Sequence, residues 1–361
     1  RELDWLNSKA IEDKSLKKWD SDQDIKKYFA ADRHNFMARG GEVLFLQLAN
    51  LFIKANDHNI KHMLEKKEYQ HINKNLANLK ENLEEKLRQI LEETIKPIGG
   101  LAQLIENRLE KYKLDINKKA NLGWAPAISK PESLLFAHEM NNICSSKLDA
   151  LDKLELLKTL CCLQVLRSLC FQANRIDDMQ KKTAGFIGQY AWVASDPQAT
   201  INTPIRQIAQ ISFDRIDRTL FRVLRKKEIQ PSKEKPKTSE AEKHGYQIFK
   251  KISKEIGLVI PIKGQGQRFT LNQNLLRFLV AALIKPGERV RLTVFYQRVF
   301  AHYGIALGGH ELTTALTWIG HESGGTSYAV SSSTAWIEEA LQQGGFLVEL
   351  SDAVSIVHNP A

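Results

Sequence analysis

Gly344-Gly345-Phe346-Leu347-Val348-Glu349-Leu350-Ser351-Asp352-Ala353-Val354-Ser355-Ile356-Val357 reads as two short strands around a Ser-Asp-Ala turn. It is entered through paired glycines that stop a helix over residues 336–343. Working back from it, Leu292 to Tyr303 has a helical pattern stopped by Gly304, and Pro286-Gly287 makes a turn. Asn272 is placed to cap a helix over 273–284, and a strand at 257–262 turns through Lys263-Gly264-Gln265-Gly266-Gln267 into 268–271. Residues 240–256 also read as helical. Helices followed by a terminal two-stranded hairpin are the order of a winged helix, a variant of helix-turn-helix.

The positive charge is concentrated just ahead of this hairpin. Residues 206–298 hold 21 Lys+Arg against 8 Asp+Glu, a net of +13 in a chain whose total is +10, so all other residues together carry −3. A folded region so unbalanced meets a polyanion, of which nucleic acid is the commonest, or else is a solvated Lys-rich surface and linker. Lys and Arg outnumber the side chains suited to base readout, so phosphate contacts are expected to dominate. The candidate contacts are Arg218, Arg222, Arg225, Lys226, Lys227, Lys250, Lys251, Lys263, Arg268, Arg289, Arg291 and Arg298.

At 361 residues, 43% hydrophobic and 26% charged, the chain has ordinary globular composition and room for two or three cores. No window of 18 apolar residues offers a membrane span, so a soluble, cytoplasmic protein is expected. The start, Arg1-Glu2-Leu3-Asp4-Trp5, has neither an initiator Met nor a secretory pattern, so further residues upstream are expected and targeting is undecided. Cys144, Cys161, Cys162 and Cys170 lie in a Leu-rich helical stretch without Cys-x-x-Cys or His at ligand spacing; buried reduced thiols, not zinc ligands, are expected.

The first 120 residues are helix-rich. Gly40-Gly41 reads as a break after a turn at 32–35, and residues 42–53 are apolar nearly all round, as in a helix buried in a bundle. Residues 62–95 form a long amphipathic stretch with Ile72, Leu76, Leu79, Leu83, Leu87, Ile90 and Leu91 on one seam, ended by Pro97 and Gly99-Gly100. With about four heptads and no regular a/d alternation, packing on the chain's own helices is preferred to coiled-coil dimerisation. After a loop at 123–126, helices resume over 131–172 and again over 203–228, with Ile208, Ile211, Ile216, Leu220, Val223 and Leu224 inside and Arg206, Arg215, Arg218, Arg222 and Arg225 outside. The basic segment that follows carries Pro231 and Pro236 and reads as a mobile connection.

No catalytic constellation is present. Lys263 to Arg268 pairs glycines with cations but lacks the Gly-Lys-Ser/Thr of a nucleotide loop, and a hairpin turn is the simpler reading. His138-Glu139 lacks the second histidine of a zinc-protease helix. His310 and His321, beside Glu311 and Glu322, read as loop histidines, and Ser323 to Ser327 contains no nucleophile elbow. The chain is read as not an enzyme, with no cofactor and no metal.

Ala31-Asp32-Arg33-His34-Asn35-Phe36-Met37-Ala38-Arg39-Gly40-Gly41-Glu42 and Gly344 to Asp352 together resemble non-catalytic components of bacterial anti-phage or DNA-restriction operons, in particular the G subunit of phosphorothioation-dependent DNA restriction complexes. The resemblance implies a helical DNA-engaging partner of helicase-like and ATPase subunits, in a system restricting DNA that lacks phosphorothioate marks, and carries over no catalytic residues. A kleisin-like or other winged-helix subunit of a DNA-processing ATPase would share these features.

The expected architecture is therefore mainly α: a helical domain at 1–228, with a sub-boundary near 120–130, a basic linker at 229–243, and a winged-helix-like domain at 244–361. The expected function is a DNA-binding or DNA-docking subunit of a multi-protein DNA-processing or defence complex, with double-stranded DNA and ATPase or helicase-like subunits as partners and oligomeric state undecided. The alternative is an assembly subunit whose basic region meets an acidic protein.

Overall fold

The computed structural model describes residues 37–53, 57–100, 103, 107, 129–177, 190–226, 246–319, 335–350 and 354–360. The expected turn at 32–35, the loop at 123–126, His321, Ser323 to Ser327 and most of the basic segment lie outside them. Packing divides the chain into one unit of Arg1–Val43 with Pro97–Gly123, and a second of Leu44–Lys96 with Trp124–Ala361. In the first, residues 37–43 are described as helix, with residues 97–100, 103 and 107.

The chain is mainly helical, with eleven α-helices among the described residues. They are α1 (Met37–Ile53), α2 (His58–Leu64), α3 (Leu76–Ile95), α4 (Lys130–Cys144) and α5 (Ala150–Asp177); after the strand β1 (Trp192–Val193) come α6 (Pro204–Val223) and α7 (Gln247–Glu255). The hairpin β2 (Val259–Ile260) and β3 (Arg268–Phe269) is followed by α8 (Gln273–Leu283), β4 (Arg289–Arg291), α9 (Leu292–Tyr303), β5 (Ile305–Ala306), α10 (Gly309–Ile319), α11 (Ala335–Gln343), β6 (Leu347–Glu349) and β7 (Ser355–His358).

Local chemistry accounts for several boundaries. The Asn272 side chain accepts from Leu275 N at 2.8 Å, supplying the expected cap of α8. Gly304 ends α9 at φ +69°, where a side chain would be strained. Gly40-Gly41 does not break the chain: α1 runs through both, because the apolar positions that follow carry the helix past the lower propensity of glycine. Nor is α1 apolar on every side to good effect, since Leu51 is buried while Phe45 is exposed. The stretch 62–95 is two helices, with a 3-10 turn at Lys67–Tyr69 between α2 and α3; α3 buries Leu76, Leu79, Leu83 and Ile90 against α4 and α5 within its own chain. Of the expected seam, Leu91 is exposed.

β2 and β3 pair antiparallel as expected, Val259 opposite Phe269. β6 and β7 pair antiparallel, and β4 joins the far side of β7, giving the order β4-β7-β6 with Val290 opposite Val357 and Leu347 opposite the same residue. β1 and β5 make a two-residue parallel pair, Trp192 opposite Ile305.

Trp192 settles how the second unit is organised. Fully buried, it stacks on Phe269 (centroids 5.6 Å apart) and meets Phe249 edge-on at 6.3 Å and Tyr190 at 5.3 Å. Residues from both sides of the basic segment thus share one core, with α6 packed on β3 and α7 on α5. The described residues on either side of 229–243, expected to belong to separate folded domains, pack in one unit through apolar faces that cover each other. A smaller cluster, including Val193, Ile205, Ile208, Ala306, Leu312 and Leu316, binds α10 to α6 and the parallel pair.

The thiols are less uniform than expected. Cys144 and Cys170 are buried, whereas Cys161 and Cys162 are half-buried. Burial pushes the Cys144 and Cys161 thiols up to about 11 and Cys170 higher still. Native titration with a disulfide reagent is expected to label Cys161 and Cys162 ahead of Cys144 and Cys170; one common rate for all four would contradict this packing.

Candidate nucleic-acid interface

α6 buries Ile208, Phe213, Ile216, Leu220 and Val223, which at helical spacing leaves Arg215, Arg218 and Arg222 on the opposite, exposed face. Ile211 is exposed, contrary to its expected place inside. The C-terminal end of α6 is clamped to the end of α5: Arg222 Nε donates to Asp177 Oδ1 at 2.9 Å, and Lys226 Nζ donates to the Ile176 carbonyl at 2.8 Å. The hydrogen bond from Arg222 holds the Asp177 carboxyl below its usual range.

α7 lies against the same region. Lys250 Nζ donates to Tyr246 Oη at 2.7 Å, Tyr246 Oη donates to Asp217 Oδ2 at 3.2 Å, and Lys250 is 3.1 Å from the same carboxylate. Burial pulls the Lys250 pKa down, but the bonds to Tyr246 and Asp217 outweigh it and the net shift is upward, so the ammonium stays charged. Phe221 meets Tyr246 edge-on at 5.6 Å. Where Tyr246 and Lys250 of this region meet Asp217 and Phe221 of α6, Arg218, Arg222 and Lys251 are exposed and Arg225, Lys226, Lys250 and Lys254 half-buried.

The twelve expected contacts therefore divide. Arg218, Lys251, Lys263, Arg289 and Arg291 are exposed; Arg222, Lys226 and Lys250 carry acidic partners; Arg225 is half-buried, its guanidinium over the Phe221 ring; Lys227 lies outside the described residues. Arg268 and Arg298 are corrections. Arg268 is buried, donating to Ser195 Oγ at 3.3 Å and the Pro197 carbonyl at 3.0 Å. Arg298 is buried between the Leu283 carbonyl (2.9 Å) and Glu288 (2.8 and 3.1 Å). Both spend their charge holding the fold, so neither is available to a phosphate. Arg215, whose guanidinium lies over the Trp318 ring at 4.4 Å, belongs to the exposed face but not to the expected contact set.

A second polar constellation lies in the core. Arg167 donates to both Glu139 oxygens (2.8 and 3.1 Å), to the His302 carbonyl (2.7 Å) and to Gln164, which donates in turn to Gln47 at 2.8 Å. His302 Nδ1 donates to Glu139 Oε1 at 2.7 Å, which leaves His302 Nε2 to accept from His71 Nε2 at 2.9 Å. His138 meets the His71 ring edge-on at 5.7 Å and the His302 ring tilted at 6.3 Å, and its Nδ1 is buried without a hydrogen-bond partner. Burial drives all three histidines toward the neutral form, His138 to about 3. Among the described residues no group of three His, Cys, Asp or Glu side chains is arranged to hold a metal ion, and His310 stands exposed on α10.

This cluster makes stability depend on pH. An imidazole kept neutral in the fold stabilises above the unfolded value near 6.5 and loses that stabilisation as pH falls, because the unfolded chain takes up a proton that the core excludes. His138 alone is expected to cost about 2 kcal/mol between pH 7 and 5. Buried Glu132, raised to about 7, works in the opposite direction. The comparison is therefore between wild type and His138→Gln: denaturation at pH 7 and 5 should show the variant losing about 2 kcal/mol less. Equal losses would contradict the placement of His138.

No family model matches the chain, and neither a curated protein nor a solved structure matches it. Among the described residues, no helix is long and apolar enough to cross a membrane.

Proposed function

We propose that the chain is a DNA-docking subunit of a multi-protein DNA-processing or defence complex, contacting duplex phosphates through the α6–α7 surface. The observation that carries this reading is the exposed row Arg215, Arg218 and Arg222 on one helix face, extended by Lys251 on the helix packed beside it. Cations at helical spacing on a rigid face suit a phosphate backbone and carry no base code.

The C-terminal elements support a winged-helix variant. α8, β4, α9, α11, β6 and β7 follow the winged-helix order, and β4-β7-β6 is its sheet order, with residues 304–334 inserted between the second and third helices. α11 would then be the groove-reading helix, yet it carries Glu338 and Glu339 and no Lys or Arg. Residues 299–361 contain six Asp+Glu and no Lys or Arg at all. Like charge disfavours inserting that helix into DNA, which favours the α6–α7 surface for the nucleic acid. The acidic end supports protein contact, in keeping with a place beside ATPase or helicase-like subunits such as the resemblance at 31–42 and 344–352 implies.

The test is fluorescence anisotropy of a labelled random 20-base-pair duplex with the full chain. With four to six phosphate contacts, raising salt from 50 to 200 mM should weaken binding roughly 10²–10³-fold. Absence of duplex binding at 50 mM salt, with tight binding of poly-glutamate, would instead favour an assembly subunit that meets an acidic protein.

A further inference from the structure

Three stretches far apart in sequence converge on a cleft of about 280 Å³ in the second unit: the turn before α5, the middle of α8, and the residues flanking the β6–β7 hairpin. Leu148, Val280, Ala281, Phe346 and Pro360 line it with apolar surface. Two cations, Lys147 and Arg277, and the amide of Asn359 complete the lining. Lys147 is exposed, so the cleft reaches solvent there. Arg277 is half-exposed and bonded through Nη2 to Asp152 at 3.0 Å, which leaves other N–H donors of its fork for a second acceptor.

One wall depends on a residue that has no side chain. A Cβ on Gly344 would lie 2.8 Å from the Phe346 ring, closer than real Cβ contacts come, so the ring can occupy its position only because residue 344 is glycine. Gly344 also ends α11, but its backbone needs no positive φ there, so the close approach to Phe346 is the constraint that glycine meets.

We propose that this cleft binds a small amphipathic carboxylate: an aromatic or branched apolar group against Leu148, Val280 and Phe346, with its carboxylate at Lys147 and Arg277. The volume holds roughly ten to fifteen non-hydrogen atoms at protein packing density, below what a nucleotide needs. Apolar walls with a cationic mouth reject both a bare phosphate, which would leave the walls unfilled, and a neutral hydrocarbon, which would leave the cations without an acceptor. The site is independent of the α6–α7 surface, and a ligand here would tie the turn before α5 to the C-terminal hairpin.

The experiment is calorimetric titration of the full chain with 3-phenylpropanoate, with its uncharged analogue 3-phenylpropanol, and with a hexapeptide ending in phenylalanine. A ligand of this size is expected to bind with Kd of about 0.1–1 mM. Binding should weaken at least tenfold for the alcohol, for Lys147→Glu, whose exposed position leaves the fold intact, and for Gly344→Ala, which displaces Phe346. No heat of binding to 10 mM acid, equal affinity for acid and alcohol, or no effect of Lys147→Glu would overturn the site. Tighter binding of the peptide than of the free acid would overturn its assignment to a small molecule.

Discussion

Arg167→Met is expected to lower the free energy of unfolding by about 3–5 kcal/mol at pH 7, because it strands the Glu139 carboxylate in the core without its counter-ion. Arg167 is fully buried and binds Glu139 through both nitrogens of its fork while also holding the His302 carbonyl and Gln164. Methionine fills much of the space but satisfies none of these acceptors. The double variant Arg167→Met, Glu139→Gln should recover part of the loss, since removing the charge removes the largest unpaired group. Urea denaturation measures both. A loss under 1 kcal/mol for the single variant would show that the ion pair does not organise the core in the way its geometry indicates.

The second large effect concerns DNA. Arg215→Glu, Arg218→Glu and Lys251→Glu together are expected to weaken duplex binding about 10²-fold at 0.1 M salt and to reduce the slope of log affinity against log salt by about 3, one counter-ion for each lost contact. Arg268→Gln and Arg298→Gln should behave differently. Each removes an internal tether, to Ser195 and Pro197 or to Glu288 and Leu283, so the expected result is lower stability with the salt slope unchanged. A slope that falls with Arg298→Gln but not with the triple reversal would place the contact surface elsewhere.

What could be read from the sequence was what local chemistry determines. Asn272 announces its cap, Gly304 its stop, and the apolar runs at 346–350 and 354–357 the strands β6 and β7, because each acts within a few residues. The outward arginines of α6 followed from a 3.6-residue period, although the same period misplaced Ile211. Gly309 and the polar residues after it disguised α10 as a loop, whereas its Leu312, Ala315, Leu316 and Ile319 bury one face. The β1–β5 pair has only two residues per strand and joins positions more than a hundred apart, so no periodicity could reveal it. The core cluster was hidden for the same reason: Glu139 and His302 are separated by 163 residues and His71 and His302 by 231. One signal was present, the improbable placing of Glu139 and Arg167 in apolar helices, since a buried charge needs an opposite one. Arg298 could not be told from a surface cation because its partner, Glu288, lies ahead of β4, in a different element from Arg298 on α9.

The central claim, that DNA docks on α6 and α7 and not on the helix in the groove-reading position, is tested most directly by hydrogen exchange of the full chain with and without a saturating 20-base-pair duplex. Protection is expected in peptides covering residues 215–226 and 246–256, with residues 335–349 exchanging as in the free protein. Protection confined to α11 and β6, or none anywhere at saturation, would contradict it.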